Sequence, residues 1–317
     1  MSNLQAVTGA FSYTGKYIAA KLLAAGAPVI TLTGHPRQDL FAGQVRSFPF
    51  NFQQPEQLSK ALQGTDTLYN TYWVRFERGE TTFAQAVENT KTMFQVAAKA
   101  GVKRIVHISI ANPTAGADRQ LPYYMGKAAL EENLKASGLS YAIIRPTVVF
   151  SREDILINNI VWLLKRMPFF AVPGAGKYQL QPVFVEDLAE IAVRAGQSRE
   201  NMIIDAVGPE KYTFTGLIDL IKEIIREQSG NTRAKGTGII HVPPLVALYC
   251  AKLVGLWSRD VLLTKDELAG LMADLLISDQ APAGKTSFQP WLRANINCLG
   301  NEYASELKRH FPPSPFH

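Results

Sequence analysis

Short apolar runs alternate with stretches of helical spacing through the first half of the chain. Leu4–Val7 is an apolar run, followed by a glycine-flanked turn and a helical pattern with Ile18, Ala19, Leu22 and Leu23 on one face. Pro28–Thr33 and Val45–Phe50 read as the second and third strands, and Gln57–Leu62 as a helix. Thr67–Thr71 is a fourth strand, and Phe83–Ala100 a long amphipathic helix ended by Gly101. Arg104–Ile110 is a fifth strand, Tyr124–Ser137 a helix stopped by Gly138, and Ser140–Arg145 a sixth strand. β-Branched strands separated by helices of this length imply parallel pairing with right-handed crossovers. The predicted fold class is α/β, a doubly wound parallel sheet with a smaller, mostly helical C-terminal substrate or partner region. Such sheets bind ligands beyond the carboxyl ends of their strands.

After Pro146 the rhythm loosens. Ile155–Arg166 reads as a helix, Pro168–Gly176 as a loop, Gln181–Val185 as a short strand and Asp187–Ala195 as a helix. Thr213–Ser229 is an amphipathic helix with Thr213 or Thr215 as its N-cap, and Asn301–His310 a closing helix. The domain reading is 1–150 for the nucleotide-binding part, with about 181–207 interleaved into it, and 151–317 for the smaller part. Val242–Trp257 is the most apolar late segment, too short to span a bilayer. It is expected to be a buried helix, with an interfacial anchor or a partner-docking helix as the alternatives.

Composition narrows the function classes. The chain has 317 residues, is 47% hydrophobic and carries a formal charge of +6. Its basic residues are scattered and no cluster is interleaved with stacking aromatics, so nucleic-acid binding is not expected. The two cysteines, Cys250 and Cys298, and the five dispersed histidines lack metal-ligand spacing. No metal is expected. The cysteine usage fits a reducing, cytoplasmic compartment, and the first strand follows Met1-Ser2-Asn3 with no room for a targeting segment.

The turn Thr8-Gly9-Ala10-Phe11-Ser12-Tyr13-Thr14-Gly15 is where a dinucleotide pyrophosphate is expected. Gly9 permits the tight turn, Gly15 lets helix and strand pack closely, and the helix N-terminus offers unpaired N–H groups to phosphate. Ser12 occupies the position of a middle glycine. An NAD site places a carboxylate at the end of the second strand, but here Thr33-Gly34-His35-Pro36-Arg37 follows, with no carboxylate before Asp39. Arg37 suits a 2′-phosphate by bidentate hydrogen bonding, with Thr33 and His35 beside it, so NADP is favoured and NAD is the alternative.

TGAFSYTG, NFQQPEQL, DTLYNTYW, VKRIVHISIAN, Tyr123–Lys127, Ile144–Thr147 and Gln181–Leu188 occur in an order and spacing that resemble the atypical, extended branch of the short-chain dehydrogenase/reductase superfamily. Within it the chain is similar to the complex-I accessory-subunit-like group and to the nitrogen-metabolite-repression and isoflavone-reductase type. That resemblance implies a Rossmann-type domain. It places Gly9, Phe11, Ser12, Tyr13 and Gly15 at the pyrophosphate, Asn51 and Phe52 at the adenine, and Thr71, Tyr72 and Trp73 along the cofactor. Lys127, which would bond the nicotinamide ribose, and Pro146 are also expected at the cofactor, with Pro146 bordering the substrate side as well. It also makes Tyr123 an acid/base group and Lys127, four residues on and on the same helix face, its partner. The ammonium favours the phenolate, and the phenol exchanges a proton with a hydroxyl or carbonyl oxygen.

The family has an oxygen-holding serine or threonine where this chain has Ala111, leaving Asn112 or Thr114 as the substitute donor, while Ser109 is expected to face the cofactor. The connection from Asn112 to Tyr123 is short, and a small loop is expected there. Asp187 is expected to cap its helix. The apolar Pro146–Phe150, Phe169–Gly176 and Pro182–Phe184 segments are expected to line a pocket for a small, apolar carbonyl or quinone-like substrate. The expected function is an NADP(H)-binding oxidoreductase acting on such a substrate as a monomer or homodimer. The alternatives are an NAD(P)H-binding sensor, assembly or accessory protein with little turnover, and an epimerase or dehydratase.

Overall fold

The computed structural model describes residues 3–34, 40–228 and 237–310. They divide into two compact units. The first comprises residues 1–147, 185–207 and 278–285, and the second 148–184, 208–277 and 286–317.

The first unit is built on a seven-stranded sheet. In chain order its elements are β1 (Leu4–Thr8), α1 (Tyr13–Ala24), β2 (Val29–Thr33), β3 (Val45–Pro49), α2 (Pro55–Leu62) and β4 (Thr65–Asn70). They continue with α3 (Phe83–Lys99), β5 (Arg104–Ile108), α4 (Pro113–Asp118), α5 (Pro122–Ala136) and β6 (Ser140–Pro146). The strand order is β3, β2, β1, β4, β5, β6 and then Met202–Ala206, every neighbouring pair being parallel. The chain runs outward one way from β1 to β3, then returns to β4 and runs the other way. A crevice therefore opens at the carboxyl ends of β1 and β4, where a doubly wound sheet takes its ligand.

The strands form because both sheet faces are covered, and the predicted apolar runs are the result. On one face Ala6, Ile30, Leu32, Leu68, Ile105 and Ile143 pack with Leu58 and Leu62 of α2, Met93 and Phe94 of α3, and Leu130 and Leu134 of α5. On the other, α1 packs with the helix Val185–Gln197. Arg104, 4% exposed, ties β5 to that layer by donating to the carbonyls of Ala195 (2.9 Å) and Glu200 (2.7 Å).

The doubly wound α/β reading holds, with three local corrections in this unit. The expected small loop between Asn112 and Tyr123 contains α4, started by Pro113 at its first position. Asp187 does not cap its helix, which begins two residues earlier at Val185; its carboxylate accepts from the Lys285 backbone at 2.8 Å. The sheet also gains Met202–Ala206 beside β6, a short edge strand whose partner lies far away in sequence.

The second unit has its own core, with Phe150, Ile157, Val161, Leu164, Leu217, Ile218, Ile221, Phe288 and Leu292 among its members. Ile155–Arg166 is helical, with Asp154 as its N-cap, and Thr213 caps Phe214–Gln228 by accepting from Gly216 N at 3.0 Å. The expected Pro168–Gly176 loop instead contains the strand Phe169–Pro173, paired in parallel with Gly238–Val242. Phe150, Phe170 and Val172, expected to line a pocket, are core residues of this unit. Pro244–Ser258 is a helix, but it is not buried as a whole: Ala247, Ala251 and Gly255 are its buried residues.

Buried charge also holds the first unit together. Glu131 on α5 accepts from Arg145 Nε at 3.0 Å, pairs with Arg145 Nη2 at 2.5 Å and accepts from Ser109 Oγ at 2.6 Å. Its side chain is 2% exposed. Removing one partner from such a group leaves the others desolvated and unpaired. Glu131→Ala is expected to lower the unfolding free energy by about 3–5 kcal/mol, as measured by urea denaturation.

Candidate functional site

The site begins at the end of β1. Gly9 has φ +66°, and its carbonyl accepts from Ser12 N at 2.8 Å and Ser12 Oγ at 2.6 Å. Gly15 lies against the same oxygen: a Cβ there would sit 2.1 Å from Gly9 O. Ser12 is the N-cap residue of α1, yet its hydroxyl turns back into the turn and makes no capping bond. The first turn of α1 also holds no acidic side chain. Such an end offers main-chain N–H groups and a partial positive charge to an anion. A cradle that a Cβ would fill, at a helix N-terminus its own cap leaves open, fits a dinucleotide pyrophosphate.

Behind the turn, Thr31 Oγ1 accepts from Ala10 N at 2.9 Å and donates to Val7 O at 2.8 Å. Phe11 is nearly buried, its ring 6.1 Å from that of Phe41, and Tyr13 packs edge-on against Tyr17. Across the crevice Thr71 N donates to Thr8 Oγ1 at 2.8 Å, and Thr71 Oγ1 donates to Thr8 O at 2.6 Å. The Thr71 hydroxyl thus joins the ends of β1 and β4. Asn70 Oδ1 accepts from Thr8 Oγ1 and Tyr72 N, each at 3.3 Å, and this fixes which way the amide faces. Its Nδ2 then donates to His107 Nδ1 at 3.1 Å, which puts the neutral ring's proton on Nε2. Burial, and secondly the charge of Lys127, hold the His107 pKa well below its ordinary value.

The residues expected at the adenine come together with those expected after β4. Phe50, Phe52 and Tyr72 form one aromatic group with ring centroids 4.6 to 5.3 Å apart. The Tyr72 hydroxyl accepts from Asn89 Nδ2 at 2.9 Å, and burial raises its pKa. Asn51 Oδ1 accepts from Gln53 N at 3.0 Å, shaping the turn after β3. Thr33 closes β2 opposite Pro49. His35 and Arg37, on which the choice of NADP rested, lie outside the described residues.

A second aromatic group brings together the residues expected to carry the chemistry. Trp73 stacks on Phe83 at 6.0 Å, and Tyr123 meets both rings edge-on at 5.7 and 5.8 Å. Lys127 Nζ sits 4.6 Å over the Trp73 ring and donates to Ile108 O at 2.8 Å. Gly126 admits the indole, since a Cβ there would lie 2.6 Å from Trp73 Cη2. Lys127 is 2% exposed; desolvation brings its pKa down to about 7, opposed by the nearby Glu131 carboxylate. Tyr124 is buried with its ring over Gly116, in a packing position.

Ala111 is fully buried, and its N–H donates to Pro146 O at 2.9 Å. Asn112 heads α4 with φ 52° and ψ 43°, a left-handed conformation that asparagine tolerates better than most residues. Ser109, expected at the cofactor, donates its hydroxyl to Glu131 at 2.6 Å. Sequence reasoning missed Asn70, His107 and Glu131. The position of Glu131, one helical turn after Lys127, was the available signal. Among the described residues no group of three or more His, Cys, Asp or Glu is arranged to hold a metal.

Residues 9–158 match the family model described as NAD(P)H-binding. The chain carries an NAD(P)H-binding domain. The mitochondrial NADH dehydrogenase [ubiquinone] 1 alpha subcomplex subunit 9 of Mus musculus is 27% identical over 305 residues, covering 90% of this chain and 76% of that protein. Two solved structures share the fold. An NADPH-dependent quinone oxidoreductase from Escherichia coli, complexed with NADPH, superposes with a TM-score of 0.72 at 20% identity, over 92% of this chain and 98% of that one. A triphenylmethane reductase from Citrobacter sp., complexed with NADP(H), gives 0.63 at 19% identity, over 92% and 99%. The resemblance to the atypical short-chain dehydrogenase/reductase group is borne out in domain, relatives and fold.

Two outcomes test this NAD(P)H-binding domain. Gly15→Ala forces the turn and helix apart, and is expected to cost about 1–3 kcal/mol of stability and to weaken NADPH binding, read by urea denaturation and fluorescence titration. Lys127 bears on pH dependence. Between about pH 7, where it titrates when folded, and its ordinary value near 10.5, the unfolded chain holds the extra proton. Stability contributed by this group therefore rises with pH across that window and is flat below it. Wild type should gain stability relative to Lys127→Met between pH 7 and pH 9; parallel profiles would contradict the burial argument.

Proposed function

We propose that this chain is an NADP(H)-dependent oxidoreductase of the atypical short-chain dehydrogenase type, acting on a small or apolar carbonyl or quinone-like compound. The observation that carries the reading is Lys127, buried and held to the Ile108 carbonyl on the same aromatic surface as Tyr123. An ammonium in so dry a place acts strongly on a neighbouring phenol, because charges interact more strongly away from water. Gly9, Phe11, Ser12, Tyr13 and Gly15 would hold the pyrophosphate; Asn51, Phe52, Thr71 and Tyr72 would border the rest of the dinucleotide. When bound, a nicotinamide dinucleotide supplies a hydride donor or acceptor. Tyr123 gives or takes the proton at the substrate oxygen, and Lys127 stabilises its phenolate form. Asn112, held beside Ala111 and Pro146, supplies the donor that Ala111 lacks. Arg37 would take the 2′-phosphate of NADP.

A second reading rests on Ala111. Its methyl is fully buried and its N–H is committed to Pro146, so this position offers no hydroxyl to a substrate oxygen. Loss of one such donor costs on the order of 10²–10³ in rate. A nucleotide-binding sensor or subunit with little turnover fits that loss, and the mouse relative is by name a subunit. The same name says mitochondrial, so the cytoplasmic placement rests on cysteine usage alone.

Fluorescence titration with NADPH and NADH, followed by a survey of carbonyl and quinone compounds for NADPH consumption, separates the two readings. The enzyme reading expects turnover that Tyr123→Phe lowers by about 10²–10⁴-fold with NADPH affinity unchanged. Tight binding without turnover, unaffected by Tyr123→Phe, favours the second reading. Arg37→Ala should raise the NADPH Kd by about ten- to a hundredfold and leave NADH unaffected; an equal effect on both would remove Arg37 from the site.

A further inference from the structure

The helix Pro244–Ser258 is turned the opposite way from every other long helix described. Its inward seam is made of small residues, Ala247, Ala251 and Gly255, with Leu248 and Val254 half-buried beside it, while six of its large apolar residues face out. Leu245 is 77% exposed, Leu256 68% and Trp257 69%, with Val246, Tyr249 and Leu253 also exposed. At about 100° per residue these six fall within an arc of about 120°, with no polar residue inside it. Lys252 lies at the edge of that arc and is exposed. Exposed single leucines need no explanation, but a continuous apolar face on one helix does.

The charge around this face says what it suits. The helix itself carries no acidic residue, and its Lys252 and the following Arg259 are exposed; Asp260, next in the chain, accepts from Tyr303, Glu306 and Leu307. Trp257 is held 5.7 Å from Trp162, so its outward ring is positioned by packing. Tryptophan and tyrosine favour the boundary between headgroups and acyl chains, and a lysine at the edge of an apolar face reaches back to the headgroups. The helix has 15 residues, and no described helix is long and apolar enough to cross a membrane. A short, apolar, aromatic-bearing helix face edged by Lys252 and followed by Arg259 matches an anionic bilayer surface. Two copies of this chain placed face to face would instead bring like charges together.

We propose that the outward face of Pro244–Ser258 docks the protein on anionic lipid bilayers, with Leu256 and Trp257 entering the interface and Lys252 and Arg259 pairing with headgroups. The test is co-sedimentation of the full chain with phosphatidylcholine vesicles, with and without one part in three of phosphatidylserine. Binding is expected on the anionic vesicles, and raised salt should weaken it. Leu256→Gln with Trp257→Gln should reduce partitioning at least tenfold, and Lys252→Glu should reduce it on anionic vesicles only. These positions are exposed, so circular dichroism and NADPH affinity should match wild type, showing that the fold is intact. No partitioning of the wild type, or equal partitioning of wild type and the double variant, overturns the proposal. So does a dimer in analytical ultracentrifugation that dissociates in the double variant while neither protein binds vesicles, since the face would then belong to a second copy.

Discussion

The carbonyl oxygen of Gly9 is the point on which the nucleotide-binding unit is built. It accepts both the amide and the hydroxyl of Ser12, and Gly15 is pressed so near that no side chain fits between them. That contact sets the angle at which α1 leaves the sheet and aims its first turn past the end of β1. The Thr8–Thr71 bonds then fix the end of β4 beside it. Because β2 and β3 lie to one side of β1 and β4 to β6 to the other, the crevice is a consequence of topology. What the turn adds is a helix end suited to an anion, placed at that crevice. A serine in place of the middle glycine does not spoil this, because its side chain folds into the turn and leaves the helix end open.

The sheet was legible because a parallel strand is covered on both faces, so its sequence is nearly all apolar. Leu4–Thr8, Val29–Thr33 and Arg104–Ile108 read almost as they fold. Segments whose identity depends on a distant partner did not. Phe169–Pro173 reads as a Pro/Gly-flanked loop and becomes a strand because Gly238–Val242 pairs with it. The helix at Pro113–Asp118 is short, and the left-handed Asn112 before it hides its start. Phe150, Phe170 and Val172 show a deeper limit. Pocket lining and core place the same demand on a side chain, namely to be apolar, so composition cannot separate them.

The candidate site divides along the same line. The glycine turn and the tyrosine–lysine spacing are local and could be read directly. Burial and pairing are not local. The Ile108 carbonyl that holds Lys127, the Trp73 ring beneath it and the Glu131–Arg145 pair beyond it come from β5, the segment after β4, α5 and β6. Ser109 shows the consequence. Its place after β5 resembles that of a cofactor-facing serine, but its hydroxyl is taken up by the buried Glu131 carboxylate on α5.

Binding and turnover draw on different parts of this structure. On the proposed reading, binding would use main-chain groups and the glycine geometry of Gly9 to Gly15. Turnover on that reading would need side chains at chosen oxygens: Ala111 offers no hydroxyl, while Tyr123 and Lys127 would form the acid/base pair. The state of Lys127 decides how useful that pair is. Desolvation pushes its proton off and Glu131 holds it on, but Arg145 and Ser109 already draw on that carboxylate. The balance falls near neutral pH, where a small change in local charge moves the ammonium population most. An anion brought to the open helix end and the neighbouring strand ends shifts that balance toward the charged form. By linkage, the charged form favours the anion to the same degree. On the proposed reading, the ligand held by the backbone therefore strengthens the ammonium that the phenol of Tyr123 requires.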